Sequence, residues 1–147
     1  ELEHALSELR ELARGLHPAV LADRGLAPAL ETLASRAPLP VIVEGVPEER
    51  LGTALEAAIY FVVAESLTNA VKHAEATEVH VQMALSGAEL VVEIADDGHG
   101  GADPARGSGL RGLADRVEAL GGSLAVESRP GTGSVVRARL PLDGLER

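Results

Sequence analysis

No cysteine occurs among the 147 residues, which excludes disulfides and thiolate metal sites. Tryptophan is absent as well, and Tyr60, Phe61 and Met83 are the single representatives of their types. A core must therefore come from Leu, Val and Ala, held by close packing of small side chains rather than by aromatic anchors. Positive charge is scarce: 13 Lys and Arg stand against 23 Asp and Glu, a formal net charge of −10. A duplex-binding surface needs clustered cations to neutralise phosphates, so direct nucleic-acid binding is not expected. Long apolar runs are missing too. The longest, Ala57 to Ala64, falls far short of the roughly 20 residues that span a bilayer. No signal peptide opens the chain, and it begins at Glu1 without a Met. That start is expected of a piece of a longer protein, and it leaves membrane attachment of the parent open.

What is present suffices for one domain. Apolar residues make up 46% of the chain and mean hydropathy is +0.11, which argues against disorder. Leu2, Ala5, Leu9, Leu12 and Leu16 recur at three- and four-residue spacing, a short apolar seam on a helix that Gly15 and Pro18 end. Two readings of this seam stay open: a helix packing on its own domain, or the end of a dimerisation helix. A helix is expected over Leu26–Ala37, stopped by Pro38 and Pro40, then a short strand over Val41–Val43. Leu51–His73 reads as a long central helix carrying Leu55, Ile59, Val62, Val63, Leu67 and Ala70. Strands follow at Glu78–Leu85 and Glu89–Ala95, the first with Val79, Val81 and Met83 alternating with polar residues. The glycine-rich stretch Gly98–Ser108 is a loop. Leu110–Leu120 is a helix ended by Gly121-Gly122, and strands at Ser123–Ser128 and Ser134–Leu140 flank the turn Pro130-Gly131-Thr132-Gly133. The order describes an α+β fold, a two-layer α/β sandwich whose mixed, mostly antiparallel sheet carries helices on one face.

Three separated segments bear chemistry. On an ideal helix at about 100° per residue, Glu65, Asn69, Lys72 and His73 share a sector of roughly 100° beside the apolar stripe. Asn and Glu oxygens suit Mg²⁺, which takes few protein ligands, and Lys72 suits a phosphate. Asp96-Asp97-Gly98-His99-Gly100 follows an apolar strand. A carboxylate there can accept a hydrogen bond from an adenine amino group, and the glycines let backbone pass close to a ligand. Gly107-Ser108-Gly109-Leu110 opens the next helix, where exposed N–H groups favour an anion. Taken singly, each segment has a bland alternative: a solvated helix face, an acidic turn, an N-cap.

In this order the segments become specific. Leu16-His17-Pro18, Asn69-Ala-Val-Lys72-His73-Ala74, Asp96-Asp-Gly-His-Gly-Gly101 and Gly107-Ser-Gly-Leu-Arg-Gly-Leu-Ala-Asp-Arg116 resemble the catalytic, ATP-binding domain of a sensor histidine kinase. That fold is shared with gyrase, the ninety-kilodalton heat-shock chaperone and mismatch-repair ATPases (the GHKL group). The nitrate- and lipid-sensing branch of two-component kinases is the most similar, and the resemblance covers essentially the whole chain. It implies ATP and Mg²⁺ as cofactors. Asn69 resembles the Mg²⁺ ligand and Asp96 the adenine-reading carboxylate. Gly98 and Gly100 resemble the lining of the base pocket. Lys72 and His73 would meet phosphates, Gly107, Gly109 and Leu110 would close the phosphate side, and Thr132 would lie near the adenine. Glu65 resembles the carboxylate that assists deprotonation of the acceptor. Gly101 to Arg106 resembles a nucleotide lid, expected to be mobile without ligand.

The same resemblance divides the chain into residues 1–17, the end of a second dimerisation helix, and 18–147, the catalytic domain. It implies a homodimeric parent, a response regulator as partner and a cytoplasmic catalytic domain, with membrane contact only through missing N-terminal regions. None of His4, His17, His73, His80 or His99 sits where the branch places its phosphoacceptor, so ATP binding without self-phosphorylation is expected of this chain alone. Two other readings remain in view: an anti-sigma factor serine kinase of the same fold, and a degenerate nucleotide-binding interaction module.

Overall fold

A computed structural model describes residues 19–99, 108–129 and 131–142. The heptad seam and the proposed dimerisation segment over 1–17 lie outside them, as do Gly100, Gly107 and the lid stretch between. Helix α1 (Ala19–Arg24) and α2 (Leu26–Arg36) lead into strand β1 (Val41–Glu44). The central α3 (Thr53–Asn69) runs on into a π-helical turn at Ala70–Ala74. Strands β2 (Val79–Ser86) and β3 (Glu89–Asp96) form a hairpin. Helix α4 (Ser108–Ala119) then precedes a second hairpin, β4 (Ser123–Arg129) and β5 (Gly133–Pro141).

The five strands lie in the order β1-β2-β3-β5-β4. Only β1 pairs in parallel, with β2, and the other pairings are antiparallel. Period-two alternation fixes the inner face. Val79, Val81 and Met83 on β2, Leu90, Val92 and Ile94 on β3, and Val136, Ala138 and Leu140 on β5 are all buried. Their neighbours on the opposite face carry charge, with Arg137 2.7 Å from Glu93 and 3.6 Å from Glu127, and Arg139 3.6 Å from Glu89. Helices therefore cover one side of the sheet and solvent the other, as the residue pattern predicts.

The helices differ in how they meet the core. Along α2 the buried residues Leu26, Ala29, Leu30 and Leu33 form one stripe, and the helix stops at Ala37, extended ahead of Pro38. Leu110, Leu113 and Val117 do the same for α4. That helix ends on Gly121 at φ +84° with Gly122 N–H donating to the Val117 carbonyl at 3.0 Å. By contrast α3 is buried on every side, from Leu55 and Ala58 through Ala64 to Leu67 and Thr68. The stretch Thr53–Lys72, running from α3 into the π turn, has 20 residues at mean hydropathy 1.3, enough by length and composition to cross a membrane. However, 72% of that stretch is buried inside the protein, which marks a core helix. Tyr60 and Phe61 meet edge to face at 5.9 Å, and the Arg116 guanidinium caps the Phe61 ring at 4.4 Å, tying α4 to α3.

Helix α1 is not anticipated by the sequence. Six residues with one buried anchor, Leu21, show no periodicity. The helix is secured from a distance: Arg50 donates to the carbonyls of Leu21 and Ala22 at 3.4 and 3.1 Å. The same guanidinium is held by Glu56, a carboxylate 2% exposed at the start of α3, which also accepts the Leu51 N–H.

Candidate nucleotide site

The first site element is the end of α3. Glu65 and Asn69 lie one α-turn apart and both are partly buried. Thr68 Oγ1 donates back to the Ala64 carbonyl at 3.1 Å, a bond that bends helices. Immediately afterwards the ladder widens to a π turn, an insertion that often marks functional positions. The expectation of one regular helix to His73 is corrected here. Lys72, exposed, and His73 ride on the π turn, so the shared sector computed for an ideal helix does not describe them. The turn closes at Glu75, left-handed at φ 52°, whose N–H returns to the Ala70 carbonyl. Glu75 is the one non-glycine at positive φ among the described residues, a conformation that persists where surroundings over-determine it.

The second element is the end of β3. Asp96 occupies its last ladder position, between Val79 on β2 and Ser134 on β5. Its carboxylate is half-buried and accepts the Gly98 N–H at 2.9 Å and the Ser134 N–H. Burial pushes this carboxyl above its ordinary value. The two N–H groups oppose that shift and the neighbouring Asp97 charge adds to it. Asp97 is exposed and holds three donors. It accepts the Thr77 hydroxyl, the Thr77 N–H at 2.7 Å and the Glu78 N–H at 3.1 Å. Those bonds, the hydroxyl first, hold its pKa below the ordinary value. Two adjacent carboxylates are thus driven in opposite directions by environment, which separates their roles. Asp96 is partly desolvated at the end of β3, and Asp97 is bonded to the Thr77–Glu78 connector.

The third element is the β4–β5 turn. Gly131 N–H donates to the His99 carbonyl, and Ser134 Oγ lies 2.9 Å from Ser128 Oγ. Gly133, at φ +96°, passes so near β3 that an added Cβ would stand 2.2 Å from the Asp96 carbonyl oxygen. Only glycine permits that approach. Thr132 sits exposed in this turn. His99 Nε2 lies 2.7 Å from Glu75 Oε1, joining the loop after β3 to the end of the π turn. The fold therefore gathers the ends of three sequence-distant segments, at Glu75–Glu78, Asp96–His99 and Gly131–Ser134. Gly109 lies in the first turn of α4, whose neighbour Leu110 is a core anchor, 4% exposed. Leu110 thus serves the helix start by fixing it to the core. Glu75, Thr77 and Ser134 join the site without having been singled out by sequence. Only the proximity of strand ends across the hairpin identifies them.

Among the described residues no group of three or more His, Asp or Glu side chains forms a metal cage. The donors at hand are the amide oxygen of Asn69 and the carboxylate of Glu65. Such a sparse oxygen set fits a cation that keeps waters and phosphates in its shell, as Mg²⁺ does. A half-buried acceptor at Asp96 fits an exocyclic amine.

Comparison with known proteins gives the family. Residues 54–144 match the family described as histidine kinase-, DNA gyrase B-, and HSP90-like ATPase. The chain belongs to that family as an ATP-binding domain. Among curated relatives, an uncharacterized sensor-like histidine kinase of Chloroflexus aurantiacus is 32% identical over 92% of this chain and 26% of its own length. The sensor histidine kinase NarS of Mycobacterium tuberculosis is 35% identical over 96% of this chain and 35% of its own length. The chain thus spans about a quarter to a third of these relatives. The ATP binding domain of PrrB from Mycobacterium tuberculosis superposes with TM-score 0.63 at 28% identity, covering 79% of this chain and 90% of that one. A blue-light activated histidine kinase of Erythrobacter litoralis shares the fold at TM-score 0.64 and 24% identity, over 99% of this chain and 42% of that one.

Proposed function

We propose that this chain is the catalytic domain of a two-component sensor histidine kinase, binding Mg²⁺-ATP for phosphoryl transfer to a histidine on a dimerisation domain. The observation that carries the reading is the half-buried Asp96 carboxylate at the end of β3, beside Gly98 and the Gly131–Ser134 turn, in a chain of this family. When bound, ATP supplies the γ-phosphoryl group and Mg²⁺ neutralises charge on the phosphates. Asp96 accepts a hydrogen bond from the base, with Gly98 and Gly100 leaving room for it and Thr132 at its rim. Asn69 offers its amide oxygen to Mg²⁺. Lys72 and His73 present charge and N–H to phosphates, and the start of α4, with Gly107, Gly109 and the core-anchored Leu110, closes that side. Glu65 stands one turn before Asn69 as the group that assists the acceptor's deprotonation.

Residues 1–17 are then the end of a dimerisation helix, the parent a homodimer, and a response regulator the receiver of the phosphoryl group. The catalytic domain works in the cytoplasm, whether or not the parent is anchored upstream. The relatives named above are sensor kinases, which favours this reading over an anti-sigma factor serine kinase of the same fold. Calorimetric titration with ADP, with and without Mg²⁺ and with GDP as control, tests it. Adenine-selective, Mg²⁺-sensitive binding is expected. A folded domain that binds neither nucleotide would reduce the chain to an interaction module.

A further inference from the structure

The backbone ladder between β2 and β3 ends at the pair Val79 and Asp96. Side chains continue it. Two residues out from Val79 and one out from Asp96, Thr77 meets Asp97 through its hydroxyl and its N–H. Two residues beyond that, Glu75 meets His99 at 2.7 Å. Offset by one residue from the backbone register, the antiparallel pairing thus carries on as a zipper of side chains, from the base-reading strand end to the residue that closes the π turn below Asn69 and Lys72.

We infer that Asp97, the second carboxylate of the Asp-Asp-Gly-His-Gly run, is a positioning residue of the nucleotide site, with His99 as the outer tooth. This inference rests on the ATP-site reading above. Asp97 fixes the peptide that follows Asp96 and so aims the Asp96 carboxylate. Through Thr77 and Glu78 it fixes the connector that follows the π turn, and so sets where the metal- and phosphate-binding helix end stands relative to the base. Exposed pairs of long side chains contribute little, because ordering them costs as much as the contact returns. Asp97 escapes that objection. One short carboxylate holds three donors at once, and two of them are backbone N–H groups of the connector. The Glu75–His99 contact, with side chains 76% and 67% exposed, is the weaker tooth.

The test is ADP titration of the whole chain in the presence of Mg²⁺, at a temperature where circular dichroism shows each variant folded. Asp97→Ala should bind ADP about tenfold more weakly, the loss of charge-assisted bonds discounted for exposure, with a smaller preference for ADP over GDP. Asp97→Asn should restore most of the affinity, since its amide oxygen still accepts both peptide N–H groups and its NH₂ can donate to the Thr77 hydroxyl. A folded Asp97→Ala that binds like wild type would reduce Asp97 to a structural role. An Asn variant as weak as the Ala variant would mean that the charge itself meets the ligand, and either result overturns the inference. If Asp97→Ala does not fold, Thr77→Val and His99→Ala decide. Each should weaken ADP by roughly threefold, and unchanged binding in both is the overturning result. A wild-type chain that fails to bind ADP at all would sink the functional reading first, and this inference with it.

Discussion

Replacing Asp96 by Asn changes one atom type at a position the fold leaves half-buried, and its consequence can be estimated from the contacts there. A carboxylate has about four acceptor sites, and the Gly98 and Ser134 N–H groups engage the Asp96 carboxylate. An adenine amine donating to it adds a hydrogen bond to a charged group, worth about 1.5–3 kcal/mol. At 1.4 kcal/mol per decade, losing it weakens ADP by roughly 10- to 150-fold. The Asn side chain also turns an NH₂ toward the amine, so the loss should fall at the upper end. The same NH₂ can donate to the carbonyl of guanine, so the preference for ADP over GDP should shrink or reverse. The fold should survive, because the Asn oxygen still accepts the Gly98 N–H. Calorimetry with ADP and GDP on the folded variant reads all three effects. Affinity for ADP within about threefold of wild type, in a folded variant, would show that Asp96 does not read the base, whatever the family resemblance implies.

Asn69→Ala should abolish the gain in ADP affinity that Mg²⁺ confers while leaving Mg²⁺-free binding nearly unchanged; a variant that still responds fully to Mg²⁺ would remove Asn69 from the metal site. Gly133→Ala forces a side chain onto a φ of +96° and against the Asp96 carbonyl, a backbone cost of about 1–3 kcal/mol before the clash is counted. Its Tm should drop by several degrees and ADP binding should weaken with it, and a normal Tm would contradict the observed approach. Ser66 Oγ is buried with no hydrogen-bond partner, so Ser66→Ala should raise stability by about 1 kcal/mol in a denaturant titration; a loss would mean that the hydroxyl is bonded. The Asp97 carboxylate, its pKa lowered by the Thr77 and Glu78 donors, contributes stability that is complete above the ordinary carboxylate pKa. That contribution vanishes as pH falls through the depressed value. In acid unfolding, wild type should therefore lose its advantage over Asp97→Ala, and curves separated by the same amount down to the lowest pH would refute the assignment.

Most strands were legible because one buried face imposes a period of two, as in Val79, Val81 and Met83, and because the chain breaks sit on glycine and proline. The helix end at Gly121-Gly122 was legible for the same reason. What the sequence hid was whatever depends on partners far along the chain. Helix α1 exists through Arg50, about 28 residues later, and no local pattern in Ala19–Arg24 announces it. The parallel pairing of β1 with β2 is set by the path of α3 between them, not by the residues of Val41–Glu44. At the site, Asp96 and Asn69 stand out as motif residues. Thr77 and Glu75 carry no such mark, since a threonine and a glutamate in a connector look like ordinary polar residues until the hairpin brings them to Asp97 and His99.

The π turn was hidden for a different reason, and that reason bears on how the site is made. An amphipathic helix shows its functional face as a polar stripe, and the sequence spacing of Glu65, Asn69, Lys72 and His73 suggests one. In the structure α3 is nearly all buried: beyond the exposed Thr53 and Ala54, only Ala57, Glu65 and Asn69 on it are less than fully buried. A helix held by packing all round can tolerate a poor hydrogen-bond pattern in its last turns, because its stability comes from the core and not from the ladder. Its functional groups are then presented from its end. The widened turn at Ala70–Ala74 shifts Lys72 out to solvent while Asn69 stays partly buried at the junction, separating the residue proposed for metal from the one proposed for phosphate. The strained closure at Glu75 is what the zipper to His99 and Asp97 must hold. Core apolarity, π turn and side-chain zipper are therefore one device. The first permits the distortion, the second sets where Asn69 and Lys72 stand, and the third ties them to the strand end proposed to read the base.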